Sequence, residues 1–147
     1  IKQSQIYNLL KKLRDYNEVY RAAGAVHGCA LCDDQGIIYF VEDVGRHNAT
    51  DTISGEMWIR KISGYGKIFY TTGRLTSEIV MKAALMGISI LISRSGITNM
   101  GLDLAEDLGV TLIARAKGSH FLAYNAVDTL IFDEPPTDRS RASLSNI

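Results

Sequence analysis

Apolar residues recur at three- and four-residue steps over the opening segment of the chain, from Ser4 to Arg21. This spacing predicts an amphipathic helix, which Gly24 would end because glycine readily adopts the left-handed conformation found after helices. Two apolar runs follow, Ala25–Cys32 and Gly36–Val41. The polar segment 33–36 between them has turn residues, and the three segments together predict a β-hairpin.

Strand-like and helix-like patterns alternate in the rest of the chain. Apolar runs at Lys67–Thr71, Ile88–Ser93 and Val110–Ala114 predict strands, and helical spacing follows each of the first two. Such alternation predicts parallel strands joined by crossover helices, whereas a hairpin is antiparallel. We therefore expect an α/β fold, a three-layer sandwich with a mixed β-sheet, with a short edge strand at Thr129–Phe132.

Three predicted strand-to-helix turns carry an arginine close to a glycine: Glu42–Ala49, Thr71–Glu78 and Ser93–Asn99. The first is the densest in charge, with four ionisable side chains in positions 42–47. Ligands of open α/β sheets bind beyond the carboxyl ends of the strands, so the turns indicate a binding site. The simpler interpretation is that Asp43 or Asn48 caps a helix among surface ion pairs.

The residue types in these turns favour an anionic ligand. A guanidinium binds phosphate through two hydrogen bonds, and glycine lets backbone amides approach closely. The chain contains neither a Gly-x-Gly-x-x-Gly nor a P-loop string, which argues against the standard nucleotide sites.

Composition adds bounds on organisation and location. The 147 residues, 46% of them hydrophobic, fit one domain with a substantial core. Basic and acidic residues balance at 16 each, which does not favour nucleic-acid binding. No apolar run approaches a membrane span of ~20 residues, and we expect no membrane association and a cytoplasmic location. Since the sequence starts without Met, we expect part of a longer chain, with one domain at 1–134 and a flexible tail at 135–147.

Cys29 and Cys32 form a C-x-x-C string of the kind found in redox and metal sites. In a strand, residues three apart face opposite sides, so we expect two ordinary buried cysteines. Cys29 would share a face with His27 and, of the two, is the one to test, as a weak alternative candidate for a catalytic thiol. His27 suits either a structural hydrogen bond or a ligand contact.

Taken in order, several strings resemble the formate dehydrogenase accessory family, the FdhD-type sulfur carriers. The octet Glu42–Ala49 is the specific one. The supporting residues are Gly24 to His27, Asp51, Gly55, Gly73, Arg74, Glu78, Lys82, Ser93, Ser95, Thr98 and Phe121 to Tyr124. The sequence departs from the family pattern at Ala23, Ala25, Thr52, Lys117 and Leu122.

The resemblance implies a fold similar to that of cytidine deaminases. Zinc deaminases carry H-x-E and P-C-x-x-C at two helix starts. Here the corresponding turns read His47-Asn48-Ala49 and Thr72-Gly73-Arg74-Leu75, without the glutamate and the thiolates. We therefore expect no zinc or other metal site and no deaminase activity.

The function implied by the resemblance is a sulfur carrier. Such a protein takes sulfur from a cysteine desulfurase and passes it to the molybdenum or tungsten bis(molybdopterin guanine dinucleotide) cofactor of a formate dehydrogenase. This is sulfurtransferase-type carriage rather than metabolic catalysis. The family's sulfur-carrying cysteines lie in a Cys-Gly-x-Cys loop, which we expect upstream of Ile1.

The cofactor-binding hypothesis assigns the phosphates to Arg46, Arg74 and Arg94, with hydroxyl contacts from Ser77, Ser95 and Thr98. The carboxylates of Glu42, Asp43 and Asp51 would orient Arg46 and His47, or accept hydrogen bonds from a guanine or pterin edge. Further candidates are His27, Asn48, Gly73, Lys117, Gly118, Ser119, His120, Phe121, Leu122 and Tyr124.

Two other functions stay open. One is a nucleotide-binding hydrolase or modifying enzyme that uses His47, Asp43 and Ser77. The other is an assembly protein whose Tyr and Met surfaces contact the dehydrogenase. Whatever the function, we expect a homodimer, for which the opening helix and segment 129–132 are candidate surfaces. Glu78 and Lys82, four residues apart, are expected to form a surface pair.

Overall fold

The apolar runs form a six-stranded mixed sheet in the order β2-β1-β3-β4-β5-β6. The structure, a computed structural model, describes residues 1–126 and 128–135. The strands are β1 (His27–Cys32), β2 (Ile37–Asp43), β3 (Ile68–Thr71), β4 (Ile90–Ser93), β5 (Thr111–Lys117) and β6 (His120–Ala123). The helices are α1 (Gln3–Tyr16), α2 (Glu18–Ala23), α3 (Arg46–Ile59), α4 (Ser77–Leu85) and α5 (Asn99–Leu108).

Strand direction decides which turns meet. β1 is antiparallel to both of its neighbours, β2 and β3, whereas β3, β4 and β5 are mutually parallel. It follows that β2, β3, β4 and β5 all point the same way. Their last residues and the first residue of β1 therefore share one edge of the sheet, which we call the carboxyl edge.

Helices cover both faces of the sheet and confirm the predicted α/β sandwich. On one face α3, α4 and α5 bury residues such as Ile53, Ile79 and Ala105 against Phe69 and Leu91. On the other face α1 buries its apolar stripe against the sheet. This stripe consists of Ile6, Leu9, Leu10 and Leu13.

The predicted opening helix, Ser4–Arg21, is wrong in its continuity. It breaks at Asn17, whose side chain is buried and donates to the Leu13 carbonyl oxygen at 2.9 Å. That bond occupies the acceptor which the next helical turn would use. The chain continues as the short α2, which ends as predicted at Gly24 with a positive φ of 70°.

The chain beyond β4 also differs from expectation. The predicted edge strand Thr129–Phe132 is reduced to a one-residue bridge between Ile131 and Lys2. β6, which was not predicted, pairs instead with β5, and one extra residue of β5 forms a bulge between Ala114 and Lys117. The bulge puts Ile113 and Ala116, three residues apart, into the same α1-side core.

Two expectations remain predictions: the domain boundary at residue 134 and the lack of membrane association. Apart from Pro135, the predicted tail 135–147 lies outside the described residues, so the domain boundary is untested. Within the described ranges no helix has both the length and the apolar character needed to cross a bilayer.

Candidate functional site

The three arginine-bearing segments meet at the carboxyl edge. Gly28 and Thr72 join β1 to the loop after β3, because Thr72 N donates to Gly28 O at 2.9 Å and Gly28 N donates to Thr72 Oγ1 at 3.0 Å. The next loop is tied in by Ser93 Oγ, which donates to Gly73 O at 2.6 Å. Hydrogen bonds thus hold the loops after β3 and β4 in one arrangement with the start of β1.

Gly73 permits the closest approach in this region. A Cβ at this position would lie 3.1 Å from Arg46 Cδ and 3.5 Å from His27 Nδ1. Three residues predicted for the site, His27, Arg46 and Gly73, are therefore neighbours. Arg46 Nε is buried and has no hydrogen-bond partner among the described residues. A buried donor without a partner is unfavourable unless a ligand or water meets it.

The two loops also pair side by side further from the strands. Leu75 N donates to Gly96 O at 3.0 Å, and Thr98 N donates to Leu75 O at 3.1 Å. Leu75 itself is completely buried. Arg74 and Arg94, which flank this pairing, therefore project from a fixed backbone.

A pocket of about 490 Å³ opens at the carboxyl edge, between α2 and the loops after β3 and β4. We call it the edge pocket. It is lined by Tyr20, Gly24, Ala25, Val26, His27, Thr72, Arg94, Ser95 and Arg115. Its size lies in the range of small-molecule sites, and two arginines face a histidine and hydroxyls across it.

Arg115 was missed in the sequence analysis. It occupies the β5 bulge with a positive φ of 53°, an uncommon conformation for a residue other than glycine. Its N–H donates to Ser95 O at 2.8 Å, and its guanidinium lies 3.3 Å from the position of a Cβ on Gly96. A charged residue inside the apolar run Leu112–Ala116 was the signal that could have identified it.

Four arginines at the carboxyl edge, Arg46, Arg74, Arg94 and Arg115, take part in no ion pair with the described residues. Arg94 instead lies over the ring of Tyr20, with its Cζ 5.5 Å from the ring centroid. Four guanidinium groups without a direct ion pair among the described residues thus lie at one edge of a chain whose net charge is zero.

Glu42, Asp43 and Asp51 were predicted to orient Arg46 and His47, and this prediction is wrong. In the described structure each of the three carboxylates binds a different group. Glu42 accepts from the backbone N–H groups of Val19 and Tyr20, at 2.9 and 3.1 Å, and so holds α2. Asp43 accepts from Gly45 N at 2.9 Å and from Asn48 Nδ2 at 3.3 Å.

Two contacts between α3 and α4 replace the predicted Glu78–Lys82 pair. Lys82 Nζ lies 2.6 Å from Asp51 Oδ1, and His47 Nε2 lies 3.1 Å from Glu78 Oε2. Both pairs are partly exposed and tie the two helices together at their surface. Asp51 and His47 therefore have protein partners.

The helix starts differ from prediction as well. Gly45, not Asp43 or Asn48, is the N-cap of α3, and Arg46, His47 and Asn48 form its first turn. Thr98 caps α5 by accepting from Gly101 N at 3.0 Å, which uses one of the two acceptor positions of its hydroxyl. Ser77 is the first residue of α4 and is partly exposed.

The predicted segment Lys117–Tyr124 forms the β5–β6 hairpin, which turns at Gly118 with a φ of 61°. None of its residues lines the edge pocket. Phe121 instead packs against Tyr7 of α1, with the ring centroids 5.6 Å apart. His120, Leu122 and Tyr124 are exposed, and their predicted ligand role stays a prediction.

The two cysteines are buried on opposite faces of the sheet, as predicted. Cys29 Sγ donates to Thr71 Oγ1 at 3.3 Å. Burial raises the pKa of Cys29 to about 11 and that of Cys32 to about 12, so neither thiol ionises at neutral pH. Both are unsuited to nucleophilic chemistry in this fold.

These pKa values predict a loss of stability at alkaline pH. An unfolded thiol loses its proton near pH 9, whereas the native chain keeps both protons to about pH 11, so rising pH favours the unfolded state. Above about pH 9 the unfolding free energy should fall by about 1.4 kcal/mol per pH unit for each thiol, with a shallower fall below that pH. Urea unfolding between pH 8 and 10 measures the slope.

The control is the double variant Cys29→Ala, Cys32→Ala, which should show a much flatter profile over the same range. Tyr70, whose pKa burial raises to about 12, adds to the slope only above pH 10. An equal slope in both proteins would show that the buried thiols are not its source.

No group of three or more His, Cys, Asp or Glu side chains in residues 1–126 and 128–135 is arranged to hold a metal ion. The three residues of the alternative hydrolase, His47, Asp43 and Ser77, share no hydrogen bond or ion pair in that part of the chain. A nucleophile and its base have to lie within hydrogen-bond reach of each other. The geometry therefore does not favour the hydrolase.

Sequence comparison with known proteins gives matches to a single family. Residues 1–131 match the model of the FdhD/NarQ family. A protein described as sulfur carrier protein FdhD from Bacillus pumilus is 37% identical over 116 residues, which cover 79% of this chain and 44% of that protein. The FdhD protein of Sulfurisphaera tokodaii is 38% identical over 133 residues, covering 89% of this chain and 52% of that protein.

The fold agrees with these sequence matches. A crystal structure of a candidate formate dehydrogenase accessory protein from Desulfotalea psychrophila superposes with a TM-score of 0.83 at 33% identity, covering 89% of this chain and 56% of that chain. The chain spans about half the length of the curated relatives that it matches. Sequence and fold together show that the chain belongs to the FdhD/NarQ family.

Proposed function

We propose that this chain is the cofactor-binding part of a sulfur carrier that serves a formate dehydrogenase. It would accept sulfur from a cysteine desulfurase and deliver it to the bis(molybdopterin guanine dinucleotide) cofactor before that cofactor enters the dehydrogenase. The descriptions of the related proteins support carriage of sulfur. The chain would form a homodimer and act in the cytoplasm. Its partners would be a cysteine desulfurase and a formate dehydrogenase.

The observation that carries the proposal is the set of four unpaired arginines at the carboxyl edge. A guanine dinucleotide presents a diphosphate, and guanidinium groups bind phosphate oxygens through paired hydrogen bonds. The nearby carboxylates of Glu42 and Asp51 are occupied by α2 and Lys82. Among the described residues, neither carboxylate forms an ion pair with one of the four arginines.

Arg46 has the strongest individual argument as a phosphate ligand. Its Nε is buried without a partner in the described structure, and its side chain lies against Gly73, where backbone can approach a ligand. Arg74 and Arg94 extend the positive surface along the next two loops. The hydroxyls of Ser77, Ser95 and Thr98 would contact the ligand beside them.

Carriage of sulfur also requires a reactive cysteine. Cys29 and Cys32 are buried and have raised pKa values, so we do not assign the persulfide to either of them. The carrying cysteine would be supplied by a Cys-Gly-x-Cys loop upstream of Ile1. This division leaves residues 1–135 to bind the cofactor.

Isothermal titration with guanosine diphosphate tests the proposed site, with adenosine diphosphate as the comparison ligand. We expect selective binding of the guanine nucleotide and about a tenfold loss of affinity in Arg46→Ala, because one charge-assisted hydrogen bond contributes about 1.5 kcal/mol. Arg60→Ala is the matched control. Arg60 lies at the opposite end of α3 and pairs with Glu56 at 2.7 Å, so its removal should leave affinity unchanged.

Unchanged guanosine diphosphate affinity in both Arg46→Ala and Arg74→Ala would contradict the phosphate assignment. An assembly protein without a ligand would behave differently again. It would still support maturation of the dehydrogenase after Arg46, Arg74 and Arg94 had all been replaced by alanine.

A further inference from the structure

The short helix α2, Glu18–Ala23, borders the edge pocket and is weakly packed. None of its six residues is buried, and the exposed fractions of Val19 and Tyr20 are 47% and 37%. A helix of this length is unstable by itself in water, because helices shorter than roughly 12 residues are marginal even with favourable sequences. The conformation of α2 therefore depends on its contacts with other elements.

Two side chains from the sheet and its loops hold α2 at the carboxyl edge. Both carboxylate oxygens of Glu42, on β2, accept from the first turn of α2, from Val19 N at 2.9 Å and from Tyr20 N at 3.1 Å. A negative charge at the start of a helix also interacts favourably with the helix dipole. On the other side of the edge pocket, the Arg94 guanidinium lies over the Tyr20 ring, 5.5 Å from its centroid.

The chain departs from helical geometry at a single residue on each side of α2. Asn17 has a φ of −78° and a ψ of 60°, and its buried side chain is bonded to Leu13 of α1. Gly24 has a φ of 70°, and nothing lies within 4 Å of the position of a Cβ there. Hinges are a few residues at the ends of elements that absorb changes in φ and ψ. Asn17 and Gly24 thus have the positions of two hinges around α2.

Cavities lie on both sides of α2. Tyr20 and Gly24 line the edge pocket, together with the two residues that follow Gly24. On the other side, Asn17, Tyr20 and Arg21 line a cavity of about 520 Å³ between α2 and α1. None of the side chains of α2 is part of a packed core, so a movement of this helix removes no buried apolar contact of its own.

We propose that α2 is a hinged lid on the edge pocket, which Glu42 holds closed and which opens for a ligand to enter or leave. Opening breaks the two hydrogen bonds to Glu42 and withdraws the Tyr20 ring from Arg94. Segments with few buried contacts open at the lowest free energies, and lids are found among them. Such a lid goes beyond the proposed function, because it controls access to the pocket whatever the ligand is.

Thiol labelling in the edge pocket measures the opening of α2. Ser95→Cys places a thiol among the lining residues and keeps two backbone hydrogen bonds, from Ser95 N to Ser93 Oγ at 2.9 Å and from Arg115 N to Ser95 O at 2.8 Å. Cys29 and Cys32 are completely buried, so the chain without the added thiol should not react. Fluorescein maleimide is a suitable reagent, because its bulk requires an open pocket.

Adding Glu42→Gln to Ser95→Cys is expected to accelerate the labelling at least tenfold. The amide keeps the size of the side chain but loses its charge and one of its two acceptor oxygens, so the open state becomes more populated. Glu56→Gln is the matched control, because it removes the same charge from a pair with Arg60 on α3 and should leave the rate unchanged. Equal labelling rates with and without Glu42→Gln would overturn the lid.

Amide hydrogen exchange shows whether α2 opens separately from the rest of the chain. The amides of Val19 and Tyr20 should be at least tenfold less protected than those of Ala30 and Leu31 in the middle of the sheet, and Glu42→Gln should accelerate only the first pair. Equal protection of both pairs, or equal acceleration of both, would show that α2 opens only with the whole fold and would overturn the inference. Neither measurement uses a ligand, so the lid can fail while the proposed function stands, and the reverse.

Discussion

Gly64→Ala is expected to destabilise the chain by roughly 3 kcal/mol, at the upper end of the cost of inserting atoms into a packed interior. A Cβ at this position would lie 2.0 Å from the Met86 carbonyl oxygen and 2.7 Å from the carbonyl carbon of Gly87. Both are backbone atoms at the end of α4, which no side-chain rotation can move aside. The loop before β3 and the turn after α4 would have to separate.

Thermal unfolding measures this effect, with an expected decrease of roughly 10 °C in the midpoint for a chain of this size. Gly55→Ala is the control, because Gly55 is exposed within α3 and a Cβ there meets nothing within 4 Å. Alanine at that position should be neutral or slightly stabilising, since glycine weakens a helix interior. A midpoint in Gly64→Ala equal to that of Gly55→Ala would contradict the close packing of these two turns.

Arg94→Ala should cause the largest loss of guanosine diphosphate affinity, about 100-fold. Arg94 lines the edge pocket, and a guanidinium that donates two charge-assisted hydrogen bonds to phosphate contributes about 3 kcal/mol. The backbone bond from Arg94 N to Thr71 O, 3.0 Å long, does not depend on the side chain. We therefore expect binding to fall while the thermal midpoint stays within a few degrees.

Arg94→Lys separates charge from geometry. Lysine keeps the positive charge but loses the planar pair of donors, so affinity should recover only in part. Titration of the three proteins under one buffer condition makes the comparison. Wild-type affinity in Arg94→Ala would show that the Arg94 side chain does not contact the ligand.

The meeting of the arginine-bearing turns could be predicted from sequence because it depends on strand order and direction. A hairpin followed by alternating strands and helices sends β2, β3 and β4 to the same edge, and each turn carries its own arginine. Opposite burial of Cys29 and Cys32 followed in the same way from alternation along a strand. These features depend on local periodicity, which a single sequence contains.

Contacts between distant segments could not be predicted in this way. Glu42 is bound by α2, more than twenty residues earlier in the chain, and Asp51 is paired with Lys82 of another helix. A sequence shows that carboxylates are dense near Arg46 but not which partner each one reaches. Arg115 was missed because its position depends on a bulge, and the β5 sequence contains no glycine to indicate one.

The bulge in β5 also bears on how related chains can diverge. It takes up one extra residue, so Ile113 and Ala116 keep their places in the core on the α1 side while the side chain at position 115 stays exposed. Residue 115 can therefore change its charge or length without repacking the sheet. Related chains can therefore differ in the residue that they present to a ligand at position 115 while their sheet and core stay the same.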